Sequence, residues 1–309
     1  MSARAHPIVR GGRPAWRHRG PHGASFETFD ALDLDDPFGP RDVHVLLPES
    51  EEAARGDVSL VIFNDGDTTF WSGGVGRDTW DVAGTVSRLR AEGAIAPLAV
   101  VAVHPTQRDE EYTHVDWRRG RAPWGGLDRY AAWLAGTLVP WLHESYPWLT
   151  RDRTRTAIVG SSHGGLAAFR TATSHAAIFG VGGCMSPSFF SGLDDLDHGL
   201  ARTPIERSDL VHKAAPVLAD PELRPRLWID WGMRRDGGLH NSVVEALAAA
   251  RGAQMVELLA HRFGARVARI GAGERPPRDA EVIQCVDAIG GHGEPAWRHR
   301  TELLLRAFF

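Results

Sequence analysis

The sequence predicts an α/β fold with a mostly parallel central sheet and helices on both faces, and three observations carry that prediction. Short β-rich runs alternate with longer segments of helical periodicity, an order that calls for parallel strands covered on both sides. Runs such as Leu98-Ala99-Val100-Val101-Ala102-Val103 are apolar without alternation, as strands buried on both faces are. Between one such strand and a helical run lies Gly160-Ser161-Ser162-His163-Gly164, which matches G-x-S-x-G, the strand-turn-helix elbow of a nucleophilic serine.

The chain has 309 residues, enough for one large α/β domain. Its net charge is −4 at pH 7, and its basic residues, nearly all arginine, form no dense block, so nothing favours a nucleic-acid partner. The first residues hold no apolar stretch of signal-peptide length, and no segment approaches about 18 uninterrupted apolar residues. The expectation is an unexported, cytoplasmic protein with no membrane partner. Cys184 and Cys285 lie in apolar, strand-like surroundings and read as buried free thiols.

Residues 1–24 are polar and rich in Arg, Gly, Pro and His, and read as a loosely docked arm ahead of a single domain over 25–309. Strands are expected at 43–47, 59–63 and 97–103, with a helix over 79–92 between the last two. A loop carrying Arg108, Glu110, Glu111, Trp117, Arg119 and Trp124 follows. Apolar residues at helical spacing over 129–146, closed by Pro147, predict a helix lying on the sheet. After the elbow come a strand at 180–185, an irregular stretch over 191–225 and a strand at 226–231. One long or two short helices, broken near Gly252, are expected over 239–262. The acidic run Asp194-Asp195-Leu196-Asp197 lacks the spacing of a calcium loop and reads as a solvated loop without a ligand.

A serine hydroxyl becomes a nucleophile when a histidine takes its proton and a carboxylate orients that histidine. Ser162 is the candidate nucleophile. His292 is the candidate base, because Gly290, Gly291 and Gly293 let a loop tip bring its imidazole close to the elbow. Asp236 is the preferred acid, since Gly232 to Gly238 form a loop leaving a strand, where open α/β sheets place their sites. Asp230 and Asp287 compete with it. The oxyanion donors expected are the backbone N–H of His163 and those of Gly66 and Asp67, in the loop after an early strand. Trp71, Trp117, Trp124 and Phe189 are candidate substrate-binding aromatics, with Phe70 beside them, and Arg108 or Arg119 could meet an anionic substrate group. The tryptophans serve equally well as packing residues. No metal or organic cofactor is required by this chemistry.

Several segments together resemble the esterase branch of the α/β-hydrolase fold, which holds enterochelin esterases, feruloyl esterases, S-formylglutathione hydrolases and mycolyltransferases. They are Arg41-Asp42-Val43-His44-Val45-Leu46-Leu47-Pro48, Asn64-Asp65-Gly66, Arg108-Asp109-Glu110-Glu111-Tyr112 and Val139-Pro140-Trp141. The elbow, Met185-Ser186-Pro187-Ser188-Phe189, and Gly290-Gly291-His292 with Trp297-Arg298 complete the set. The resemblance runs from about Arg41 to the C-terminus and is nearest to the enterochelin-esterase-like group. It implies a serine esterase with a Ser-His-acid triad, acting on a small-molecule ester. One departure stands out: two strand-like runs, 267–270 and 281–286, occupy the place where the family usually has a single strand. Acyl transfer from the same serine, and a non-catalytic binding module on this fold, are the competing functions.

Overall fold

The computed structural model describes residues 5–73, 77–117, 123–194, 200 and 202–309. These residues build an 11-stranded sheet from β1 (His6–Arg10), β2 (Arg13–Arg19), β3 (Ser25–Leu32), β4 (Arg41–Leu46), β5 (Ser59–Phe63) and β6 (Leu98–Val103). The rest are β7 (Thr156–Ser161), β8 (Val181–Met185), β9 (Arg226–Gly232), β10 (Val267–Gly271) and β11 (Val282–Asp287). The spatial order is β1-β2-β3-β4-β6-β5-β7-β8-β9-β11-β10. Pairing is antiparallel from β1 through β4 to β6 and parallel from β6 to β10. This is the α/β-hydrolase arrangement.

Alternation across the pleat explains why the central strands are apolar throughout. In β5 and β6, Leu60, Ile62, Ala99, Val101 and Val103 face one core, while Val61, Phe63, Leu98, Val100 and Ala102 face the other. The second core is closed by α1 (Val82–Ala91), packed on the C-terminal helix. The first is closed by α2 (residues 127–145), α3 (His163–Ser174), α4 (Asp209–Ala219) and α5 (Glu245–His261). Helix α2 runs from Leu127–Trp133 through a π-helical turn, Leu134–Leu138, into Val139–Ser145. The C-terminal helix, α6, is Glu294–Phe308.

Two expectations change, those for the N-terminal segment and for the stretch 191–225, and two hold. From His6 onward the polar N-terminal segment is a hairpin of the sheet and not a loose arm. Its arginines are polar because they share a buried acid: Glu27 on β3 is bonded by Arg10, Arg17 and the Tyr146 hydroxyl. Helix α4 lies within the stretch read as irregular, its pattern interrupted by Pro216. Of the one long or two short helices expected over 239–262 the structure has one continuous helix through Gly252, a position where a Cβ would meet the Trp231 ring at 2.9 Å. Both 267–271 and 282–287 are strands, β10 adding itself parallel to β11 at the sheet edge. Asp195 and Asp197 of the acidic run lie outside the described residues, as does Arg119.

Burial works to raise the Glu27 carboxyl, but hydrogen bonds from Arg10, Tyr146 and Arg17 outweigh it and hold it below the usual 4.5. A depressed folded-state value means stability that is fully present above the unfolded value and lost as pH falls through the folded one. Glu27→Gln is therefore expected to lower stability by about 2 kcal/mol near neutral pH, allowing for the half-exposed arginines. The deficit shrinks toward pH 3. Thermal melts of both proteins over pH 3–7 measure it, and a pH-independent difference would dismiss the ionic account.

Candidate active site

The elbow turns because Ser162 adopts φ 54° and ψ −121°, a conformation that costs a non-glycine residue about 1–3 kcal/mol and persists only when its surroundings hold it. Ser162 N–H donates to the Met185 carbonyl at 2.9 Å. The Ser162 carbonyl accepts from Ser188, Gly165 and Leu166 N–H at 2.9–3.1 Å. Backbone crowding explains the glycines: a Cβ on Gly160 would run into the Gly164 carbonyl, and one on Gly165 would lie 2.9 Å from the Met185 carbonyl. Among the described residues Ser162 Oγ shares its hydrogen bond with Ser188 Oγ, at 3.2 Å, and makes none with His292.

His292 stands on the loop between β11 and α6. Gly290 N–H and Ile289 N–H donate to Asp287 Oδ1 at 2.8 and 3.2 Å, and His292 N–H donates to Asn241 Oδ1 at 2.7 Å. The glycines are required by close approach: a Cβ on Gly290 would collide with the Asp287 carboxyl, and one on Gly291 with Asn241. The imidazole stacks on His240, with ring centres 5.9 Å apart and planes within 8°, and meets the Trp297 edge.

The carboxylate bonded to His292 is Glu245, the first residue of α5, whose Oε2 lies 2.5 Å from His292 Nδ1. Glu245 is fully buried. Its other oxygen accepts from Ser186 Oγ at 2.9 Å and from Gly232 N–H. A π-helical turn, His240–Val244, precedes it, and π turns interrupt helices at functional positions more often than elsewhere. Burial pushes the Glu245 carboxyl up, but the hydrogen bond and charge of His292, the Arg300 charge and Gly232 N–H together bring it below the usual value. Burial also pulls the His292 imidazole down, aided by His240 and Arg300 and opposed by Glu245, which favours its neutral form.

Asp236 is not at this position. Its side chain is 78% exposed and ion-paired with Arg234 at 2.6 Å. The loop that bears it touches the site only through its backbone, the Asp236 carbonyl accepting from Asn241 Nδ2. The two competing aspartates have other partners. Asp230 is buried against Ser186 N–H, Trp228 Nε1 and Arg300, and Asp287 caps the histidine loop. Burial pushes Asp230 up to about 6.

The expected oxyanion donors lie on two helix starts. His163 is the first residue of α3, and Gly66 and Asp67 open the helical turn Gly66–Thr69. Initial N–H groups have no intrahelical acceptor. The loop carrying Gly66 is anchored by Asn64, whose Nδ2 donates to the Gly164 carbonyl while its Oδ1 accepts from Tyr130. Gly66 lies so close to β6 that a Cβ would be 2.7 Å from backbone atoms of Ala102 and Val103. Arg108, expected to meet substrate, grips the Asp65 carboxylate in a two-pronged pair at 2.6 and 2.9 Å.

Trp117 and Trp124 gather around the His163 ring. Their rings contact each other and His163, and Phe190 contacts Trp117. Phe189 instead packs on Phe169 in the main core, while its neighbour Phe190, equally buried, packs in a smaller cluster against Trp117. The Trp71 ring packs with His18, Phe26, His44 and Phe70 over the antiparallel strands and has no ring contact with this group. Both cysteines are buried free thiols. Among the described residues no helix is long and apolar enough to cross a membrane, and no three His, Cys, Asp or Glu side chains are arranged to hold a metal ion.

A sequence-family comparison matches residues 38–301 to the family described as "Putative esterase". The chain belongs to this esterase family. It is accordingly an esterase, a hydrolase of carboxylic esters. Solved structures share its fold at low identity. A ferulic acid esterase is 16% identical with a TM-score of 0.59, the match covering 92% of this chain and 98% of that one. The siderophore hydrolase EstA from Aspergillus nidulans is 18% identical with a TM-score of 0.61, over 91% and 94%. The enterobactin esterase FES from Shigella flexneri is 16% identical with a TM-score of 0.59, covering 99% of this chain but 58% of that one. A search of curated proteins gives no match.

Proposed function

We propose that the esterase hydrolyses its substrates through an acyl-enzyme on Ser162, with His292 as general base and Glu245 as the carboxylate that orients it. The observation that carries this reading is the buried 2.5 Å contact between His292 Nδ1 and Glu245 Oε2. With Nδ1–H committed to Glu245, the neutral ring presents Nε2 as a proton acceptor. Substrate binding turns Ser162 Oγ from Ser188 to Nε2, a tightening that sites of this kind make on forming the reactive complex. Ser162 then attacks the ester carbonyl, and the His163, Gly66 and Asp67 amides receive the oxyanion. Each well-aimed donor contributes about 3 kcal/mol to the transition state. His292 returns its proton to the departing alcohol and then activates water to release the acid.

Trp117 and Trp124, with Phe190 packed behind Trp117, provide an apolar wall beside His163, which suits an ester with an aromatic or other apolar group. Arg108 is neutralised by Asp65 and serves the oxyanion loop more than an anionic substrate.

The test is labelling with a fluorophosphonate followed by mass spectrometry, alongside hydrolysis of p-nitrophenyl esters across pH. A single adduct on Ser162 is expected. Because the working base is neutral imidazole and its value is lowered from 6.5, kcat/KM should hold as pH falls through 6.5 and decline only below it. Absence of an adduct in a protein that hydrolyses these esters would overturn the acyl-enzyme.

A further inference from the structure

Behind the Glu245–His292 pair, three carboxylates from three elements converge on one guanidinium. Arg300, on α6, is completely buried. One terminal nitrogen, Nη1, lies 3.0 Å from Asp230 Oδ1 and 4.0 Å from Glu245 Oε1, while Nε lies 4.0 Å from Asp287 Oδ2. The other, Nη2, donates to Ser186 Oγ at 3.2 Å and to the Gly291 carbonyl, next to the base, at 3.5 Å. Ser186, held at φ 40°, passes this contact on by donating to Glu245 Oε1, and also accepts from Trp297 Nε1.

On the triad reading given above, we propose that Arg300 is the positioning residue of the site: it fixes both Glu245 and the Gly291–His292 backbone, so that Glu245 Oε2 stays ionised and aimed at His292 Nδ1. Ser186 and Gly232 N–H occupy Oε1, which leaves Oε2 as the oxygen available to the base. Three carboxylates buried together without a cation cannot all stay ionised, and the one that takes the proton stops accepting a hydrogen bond through that oxygen. Asp230, nearest to Arg300, already binds its proton more tightly than an ordinary aspartate. The charged and titratable groups facing His292 are Glu245 from α5, His240 from the π turn, Arg300 from α6 and, across the site, His163 from α3. A lysine would supply the charge as a point but not the planar fork that reaches Asp230, Ser186 and Gly291 at once.

The test compares Arg300→Lys with the charge-balanced double variant Arg300→Met/Asp230→Asn, the second removing a cation and an anion together so that the core is not left with excess charge. Folding is checked by circular dichroism and melting. For p-nitrophenyl butyrate, the folded variants are expected to lose kcat about 10- to 100-fold while KM changes by less than about threefold. The second readout needs no activity: the far-downfield proton resonance of His292 Nδ1–H bonded to Glu245 should be present in the wild type and lost or moved upfield in both variants. Wild-type kcat with an unmoved resonance in either folded variant would overturn the proposal. If the double variant fails to fold, Arg300→Lys decides by the same two readouts. Failure of the triad reading has a different signature, retained activity in Ser162→Ala, and the resonance still reports on Arg300 in that event.

Discussion

Ser162→Ala is expected to abolish ester hydrolysis, with turnover falling on the order of 10⁶-fold while the fold is kept. The size follows from the division of labour at the elbow. On the proposed mechanism there is no acyl-enzyme without Oγ, and His292, Glu245 and the oxyanion amides can only assist water, whose attack they were not placed to direct. The substitution removes one polar atom whose single hydrogen bond is to Ser188, so stability should change by less than about 1 kcal/mol. Relief of strain is not expected, because alanine meets the same φ of 54° as serine. The measurement is kcat for p-nitrophenyl butyrate, with melting temperature and fluorophosphonate labelling on the same preparations. A folded variant that keeps more than about a thousandth of wild-type turnover would remove Ser162 from the mechanism.

How much of this was legible in the sequence depends on the range over which each feature is determined. The elbow is largely local: glycines at 160 and 165 are demanded by backbone approaches within a few residues or to the adjacent strand, so the pattern survives in the sequence, while Gly164 makes room for the Asp65 carboxylate. The same holds in part for His292: Gly290 reflects the crowding of its own loop against Asp287, whereas Gly291 meets Asn241 from a distant segment. Glu245 was missed because its role depends on a contact 47 residues away in the chain and on a π turn that sets where α5 begins. Its available signal was modest, a single carboxylate amid Val243, Val244, Ala246 and Leu247, all apolar, where a surface helix would bury no acid. The N-terminal hairpin was obscured for the opposite reason. Arg10 and Arg17 look solvated in one dimension but converge on Glu27 in three. Phe189 and Phe190 differ by one position, and only the backbone decides which buried cluster each joins.

The acid is where the sequence and the structure part, and Glu245→Gln against Asp236→Asn separates them. Glu245→Gln keeps the shape of the side chain but removes the charge that supports an imidazolium in the transition state. It also offers His292 Nδ1 an amide that can present N–H where an acceptor is needed, which favours the wrong tautomer. In a triad of this kind such a change lowers kcat by about 10⁴-fold. KM should change little, since Glu245 is fully buried behind the histidine and meets no substrate. Asp236→Asn alters a side chain that is 78% exposed and whose ion pair is with Arg234, so kcat should remain within about twofold of the wild type. The pH profile adds a check on sign. The Glu245 hydrogen bond and charge raise the His292 value against the pull of burial, His240 and Arg300. With that support gone, the residual activity of Glu245→Gln should keep its acidic limb at lower pH than the wild type's. A large loss in Asp236→Asn together with a near-normal Glu245→Gln would return the role to the loop. The expected pattern places the acid on the helix after β9, where the fold buries it and where Arg300 and Ser186 can hold it.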